Sequence, residues 1–261
     1  MDENKRARKG FEKLIEIVGA LRGPNGCPWD KQQTHASLIP YLLEETYEVI
    51  ESIEDEDWVA LREEVGDLLL HVVLQSQIAD ENGEFNISNV VDDLSNKMIN
   101  RHPHVFSNEK LKSFKKAKQS WETLKHKEKQ RQSRLDGVPK TLSALSRSFR
   151  LQQKAASIGF DWNNAQEVLL KVDEEIDELK FAIQKLQRDN ISEELGDVLF
   201  TLVNLGRHLN IHSEDTLRAA NNKFIERFKK VERRLNLKGK DLEDVSTDRM
   251  NEIWEKVKSD E

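Results

Sequence analysis

The chain has 261 residues, 41 Lys and Arg against 48 Asp and Glu, a net charge of −7 and a single cysteine, Cys27. This acidic balance argues against a nucleic-acid partner, since a dedicated DNA binder carries a basic excess. The lone thiol excludes an intrachain disulfide and any zinc site built on several thiolates. The start, MDENKRARKG, has no apolar stretch behind it and does not read as a secretory signal. The most apolar segments, around 68–74 and 195–205, carry polar residues and fall short of the ~20 apolar residues that a membrane span needs. A soluble cytoplasmic protein is expected.

Along the chain, apolar residues recur at helical spacing and nothing comparable alternates with period two, so the fold class is predicted to be all-α. The first half carries EETYEVIESI at 44–53 and EEVGDLLLHVV at 63–73, followed by Asn96-Lys97 and Arg101. Arg101 precedes His102-Pro103, and proline disfavours helix in the residue before it, so the basic helix is expected to end at its arginine. Next comes a lysine-rich stretch, 110–134, with ten Lys or Arg against two Glu. It reads as a solvated helical connector; contact with an RNA, or with the acidic face of a second subunit, is the alternative. The turn-rich Leu135-Asp136-Gly137-Val138-Pro139 closes it.

No proline follows Pro139. Leu169, Val172, Ile176, Leu179, Ile183 and Leu186 form one apolar stripe, and Leu195, Val198, Leu199, Leu202 and Leu205 form a second, with Ser192 placed to cap it. Shifting the sequence by 130 residues superposes the acidic stretches of the two halves: ten of the thirty positions 44–73 are then identical. One helical unit has been duplicated. The expected organisation is an N-terminal domain over 1–106, a basic connector over 107–139 and a C-terminal domain over 140–261.

Each copy holds E-E-x-x-E, then fifteen residues, then E-x-x-D. In the second copy these acids are Glu174, Glu175, Glu178, Glu194 and Asp197; in the first, Glu45, Glu48, Glu64 and Asp67 hold the matching places. Residues three apart share a helical surface, and ~100° per residue puts Glu175 and Glu194 at the borders of their apolar stripes. If the stripes pack together, four carboxylates converge at the core's edge, where they repel one another unless a cation sits among them. Oxygen donors alone select Mg²⁺ or Mn²⁺. A di-iron site would need Glu-x-x-His pairs. The second pairs here end in aspartate instead, and His71, four residues beyond Asp67, is matched by Thr201.

Lys223 and Arg227, one turn apart, recur in the first copy as Lys97 and Arg101 and could hold phosphate, with Arg able to bind it bidentately. No Gly-rich phosphate cradle is present.

These stretches, with GCPWDKQQTH (26–35), YLLEETYEV (41–49), RHPHVF (101–106), GFDW (159–162), KVDEEIDEL (171–179), EELGDVLFTLVNL (193–205) and NKFIERF (222–228), resemble the MazG family of nucleoside triphosphate pyrophosphohydrolases over nearly the whole chain. The resemblance implies tandem all-α MazG-type domains with four-helix-bundle-like cores shared across a homodimer. It also implies Mg²⁺-dependent cleavage of nucleoside triphosphates to monophosphate and pyrophosphate, with broad base tolerance and a role in nucleotide house-cleaning. Position by position, the metal ligands would be Glu175, Glu178, Glu194 and Asp197; Lys171, Glu174, Lys223 and Arg227 would approach the nucleotide, and Trp254 its base or sugar. The C-terminal copy would supply the chemistry, leaving Glu45, Glu48, Glu64, Asp67, Lys97 and Arg101 as a second, less active site. The alternative reading is a helical module that binds metal or nucleotide without turnover and regulates a partner.

Overall fold

The computed structural model describes residues 2–106, 132–236 and 245–260. Among them every regular element is a helix, and the chain divides into two compact units, Met1–Phe114 and Lys115–Glu261. Most of the expected basic connector, 107–131 with Trp121, lies outside the described residues. Its closing turn is present, with Gly137 at φ 79°.

The first unit opens with α1 (Glu3–Arg22) and the short α2 (Pro28–Gln32), followed by α3 (Ile39–Glu54), α4 (Trp58–Glu81), α5 (Ile87–Arg101) and α6 (Pro103–Phe106). Helices α3 and α4 pair as a hairpin, with α1 and α5 packed on α4. Val18, Leu38, Val73, Leu74 and Ile78 form the core, enclosed by Phe11, Leu14, Ile15, Leu70 and Ile87. The chain reverses after α1 so tightly that a Cβ on Gly26 would lie 2.0 Å from the Leu21 carbonyl oxygen and 2.5 Å from that of Ala20. Arg22 anchors this corner. Its Nη2 is 2.7 Å from Glu81 Oε2 at the end of α4, and its Nη1 donates to the carbonyls of Asp30 and Gln33. As the proline argument predicts, α5 stops at Arg101 with His102 as its C-cap.

The second unit contains α7 (Ala144–Ala156), α8 (Ala165–Lys185), α9 (Arg188–His208), α10 (Ser213–Asn236) and α11 (Thr247–Ser259). Its most extensive packing is between α8 and α9; α7 and α10 lie against α9, and α11 against α10. Val168, Val172, Ala182, Val198 and Val203 are buried within the first four helices. Val231, Leu235, Val245, Ile253 and Val257 form a second core with Trp254 and Met250 packed on it.

The duplication extends to the backbone of the turns. Glu56, between α3 and α4, and Leu186, between α8 and α9, stand 130 residues apart and both adopt φ 55°, a left-handed conformation uncommon for residues with a side chain. This turn corrects two expectations. Leu186 does not extend the α8 stripe: it is the C-cap and is 86% exposed. Ser192 does not cap α9, because the helix starts at Arg188, directly after Gln187. A left-handed residue reverses the chain at once, so the charged Arg188-Asp189-Asn190 stretch becomes the first helical turn. Asp189 there complements the positive helix end.

Candidate functional site

The α8–α9 hairpin places the second copy's acids. Glu175 is carried on α8 and is buried, Glu194 on α9 is half-buried, and Asp197 one turn further is exposed; one carboxylate oxygen from each lies within 4.8 Å of the other two. Glu178 borders this trio. Its carboxyl is pushed above the ordinary range by loss of water and by the charges of Glu175 and Glu194, against which Lys171 pulls. A cleft of about 720 Å³ opens beside the acids, lined by Glu174, Glu178, Phe181, Gln187, Asn190 and Glu194.

The α3–α4 hairpin repeats the arrangement with Glu45, Glu64 and Asp67, all half-buried and again within 4.8 Å of one another. Glu48 stands beside both glutamates, and its charge bears on each of them. Here desolvation, then the charge of Asp67, then that of Glu48 push the Glu45 carboxyl up to about 6. Glu64 is raised as well, by loss of water and by its acidic neighbours. His71 is buried with no hydrogen-bond partner at Nδ1, and its burial lowers its pKa against the pull of Asp67. It is not among the three converging residues, so the donors in both copies are oxygens.

The copies differ in what faces the acids. Lys171, on α8, sets its Nζ 2.8 Å from Glu174 Oε1 and 3.0 Å from Glu175 Oε1. These hydrogen bonds raise the Lys171 pKa above the usual lysine range. The residue 130 positions earlier is Tyr41, which packs edge-on against Trp29, ring centroids 5.9 Å apart. The Lys-x-x-x-Glu spacing of an i,i+4 ion pair was readable in the sequence.

Lys223 and Arg227 lie one turn apart on α10, the helix packed against α9, rather than on the hairpin that carries the acids; Lys223 is exposed and Arg227 half-buried. In the first copy Arg101 is buried at the end of α5 and Lys97 is exposed. Trp254 is half-buried on α11 and packs on Phe224 of α10, ring centroids 5.3 Å apart.

Sequence reasoning missed a polar clamp on the loop before α8. Asp161 of the GFDW stretch accepts hydrogen bonds from Arg207 and His208 at the end of α9, Arg207 Nη1 lying 3.0 Å from Asp161 Oδ2. Arg207 also donates to buried Asn204. Burial alone would raise the Asp161 carboxyl, but the hydrogen bonds from Arg207 and His208 and their charges together hold it below its ordinary value. The partners are 46 and 47 residues away, so no local spacing announces the clamp.

A family model for the MazG nucleotide pyrophosphohydrolase domain matches the chain twice, over 33–106 and 163–232. The chain belongs to the MazG family. The two matched segments contain both acid clusters and both Lys-x-x-x-Arg pairs, whereas Trp254 lies beyond them. The nucleoside triphosphate pyrophosphohydrolase/pyrophosphatase MazG of Thermotoga maritima is 45% identical over 250 residues, 95% of each chain. The nucleoside triphosphate pyrophosphohydrolase of Escherichia coli K12 is 42% identical over 257 residues, covering 96% of this chain and 98% of its own. A crystal structure of a mazG-related protein from Thermotoga maritima is 30% identical, covers 44% of this chain and 97% of its own, and superposes with a TM-score of 0.38.

Proposed function

We propose that the chain is an Mg²⁺-dependent nucleoside triphosphate pyrophosphohydrolase whose second copy converts a triphosphate and water to a monophosphate and pyrophosphate. Membership of the MazG family and full-length relatives named for this activity support the reaction class, a hydrolysis of an acid anhydride. The observation that carries the site is the convergence of Glu175, Glu194 and Asp197 within 4.8 Å. Three carboxylates at that spacing, one of them buried, fit a hard divalent cation and make a poor resting place for bare charge.

Glu175, Glu194 and Asp197 would hold the cation, which when bound would polarise phosphate oxygens and acidify a water. The remaining work belongs to the chain's own side chains. Glu178 stands outside the oxygen trio, beside Glu175, and its raised pKa suits it to take a proton from water; Glu175 is the other acid suited to that role. Lys223 and Arg227 offset charge on the departing pyrophosphate. Lys171, Glu174 and Trp254 complete the nucleotide site. Broad base tolerance and a house-cleaning role belong to the same reading, as do the domain limits 1–106, 107–139 and 140–261. Among the described residues no helix is long and apolar enough to cross a membrane, in keeping with work on dissolved nucleotides in the cytoplasm.

The reading includes a homodimer. Leu195, Leu199 and Leu202 on α9 are 43–49% exposed, a stripe that a second copy would cover in a shared four-helix core. Light scattering is expected to give twice 30.3 kDa; a stable monomer at assay concentration would contradict it. The reaction is tested by incubating the protein with Mg²⁺ and each NTP and dNTP and resolving products by ion exchange. Monophosphate with pyrophosphate is expected, EDTA abolishing it; diphosphate with phosphate would refute the assigned bond, and absence of turnover would favour a non-catalytic binding module.

A further inference from the structure

We infer that Lys171 is the resident counter-cation of the second carboxylate cluster, so that its ammonium and a divalent ion compete for Glu175. This rests on the reading of Glu175, Glu194 and Asp197 as cation ligands. Five acids crowd the hairpin: Glu174, Glu175, Glu178, Glu194 and Asp197. The Lys171 ammonium meets two of them at 2.8 and 3.0 Å, and the Glu175 side chain it reaches is only 9% exposed. Buried carboxylates without water need a positive partner, and Lys171 supplies one from the preceding turn of the same helix.

The Glu175 oxygen held by Lys171 belongs to the same carboxylate that joins the oxygen trio. A dication and an ammonium on one carboxylate repel each other strongly, since two like charges ~4 Å apart interact by several kcal/mol at the effective dielectric of a protein surface. One must yield. Lysine is suited to do so, because its charge is a compact point on a flexible stem and the Lys171 side chain is 31% exposed, leaving a path to solvent. At the matching position of the first copy stands Tyr41, which carries no ammonium. The ion pair thus keeps the acids in place when no dication is present, and the same pair opposes dication entry. Toward the cation, Lys171 acts through Glu175, as a positioning residue, beside its place in the nucleotide site.

The test is calorimetric titration of the nucleotide-free protein with MgCl₂, in a Glu64→Gln background that silences the first cluster. Lys171→Met keeps the helix-forming stem and removes the charge; Mg²⁺ is expected to bind about fivefold more tightly, the loss of one partly exposed ion pair. Lys171→Arg restores the charge and is expected to bring affinity back to the parent value or below it, a rescue that a merely structural role would not produce. Circular dichroism melts verify that both variants fold. An unshifted or weakened Mg²⁺ affinity in Lys171→Met overturns the inference while leaving the metal site standing. Absence of any Mg²⁺ isotherm in the parent overturns both.

Discussion

The two acid clusters are the same construction in two electrostatic settings. Each is built on a helical hairpin whose turn contains a residue at φ 55°, and each brings two glutamates and an aspartate within 4.8 Å. In the second, Glu175 is buried and paired with Lys171 at 3.0 Å. In the first, no lysine occupies that register, and the Glu45 carboxyl is pushed up to about 6 by lost water and by its fellow acids. Spacing therefore fixes where carboxylates meet, while the residue one turn before them decides whether a lysine or a tyrosine stands beside them. Their basic helices also differ: α5 ends at Arg101, whereas α10 runs on to Asn236. Arg101 is the last residue of its helix, whereas Arg227 lies inside one.

The largest effect expected is a split between Glu178→Ala and Glu48→Ala assayed on the same triphosphates. The first should lose on the order of a hundredfold or more in turnover, as removal of a general base does, and the second should keep most of it. Equal losses would erase the functional difference between the copies. Glu194→Gln keeps the shape of a ligand and removes its charge; Mg²⁺ affinity and turnover should collapse while the helical circular dichroism stays. Unchanged Mg²⁺ dependence would return Glu194 to an ordinary surface acid.

A smaller effect separates the units by acid. The Asp161 carboxyl is depressed in the folded state, so its contribution to stability is full above the unfolded value of 3.8 and disappears as pH falls through the lower folded value. Asp161→Asn should lower the melting temperature at pH 7, and the gap from wild type should close below about pH 4. A gap independent of pH would mean that packing, not charge, holds the loop.

The smallest effect has the opposite sign. A carboxyl raised from 4.5 to about 6 in the folded state costs stability as pH climbs through that window. Glu45→Gln should therefore melt a few degrees higher than wild type at pH 7 and indistinguishably from it near pH 4. A melting curve unchanged at both pH values would show that the first cluster is not under charge strain.

Much of this was legible in the residues. The acid spacing predicts which faces of α3, α4, α8 and α9 carry the clusters, and His102-Pro103 predicts the end of α5, because both are consequences of local helical geometry. The start of α9 was not legible. A left-handed Leu186 offers no local signal, and its side chain reads as one more member of an apolar stripe. The Asp161–Arg207–His208 clamp was also hidden, since it joins segments that only tertiary packing brings together. Lys171 enters from the sequence only as a nucleotide contact implied by the resemblance; its pairing with Glu175 matters because that glutamate is buried, and periodicity places Glu175 only at a border.

The Gly26 corner shows how tolerance to change and closeness to chemistry come apart. Gly26 stands on a stretch that helps mark the chain's family, GCPWDKQQTH, yet the nearest atoms to a Cβ there are the backbone oxygens of Leu21 and Ala20, which cannot swing aside as a flexible side chain can. A saturation survey of every position would score Gly26 as intolerant to all nineteen replacements. It would rank beside Glu194 in such a survey, for want of room for a Cβ rather than for want of a carboxylate. Its failures would appear as loss of folded protein in the cell, whereas those at the acids would leave abundant, well-folded and inactive protein.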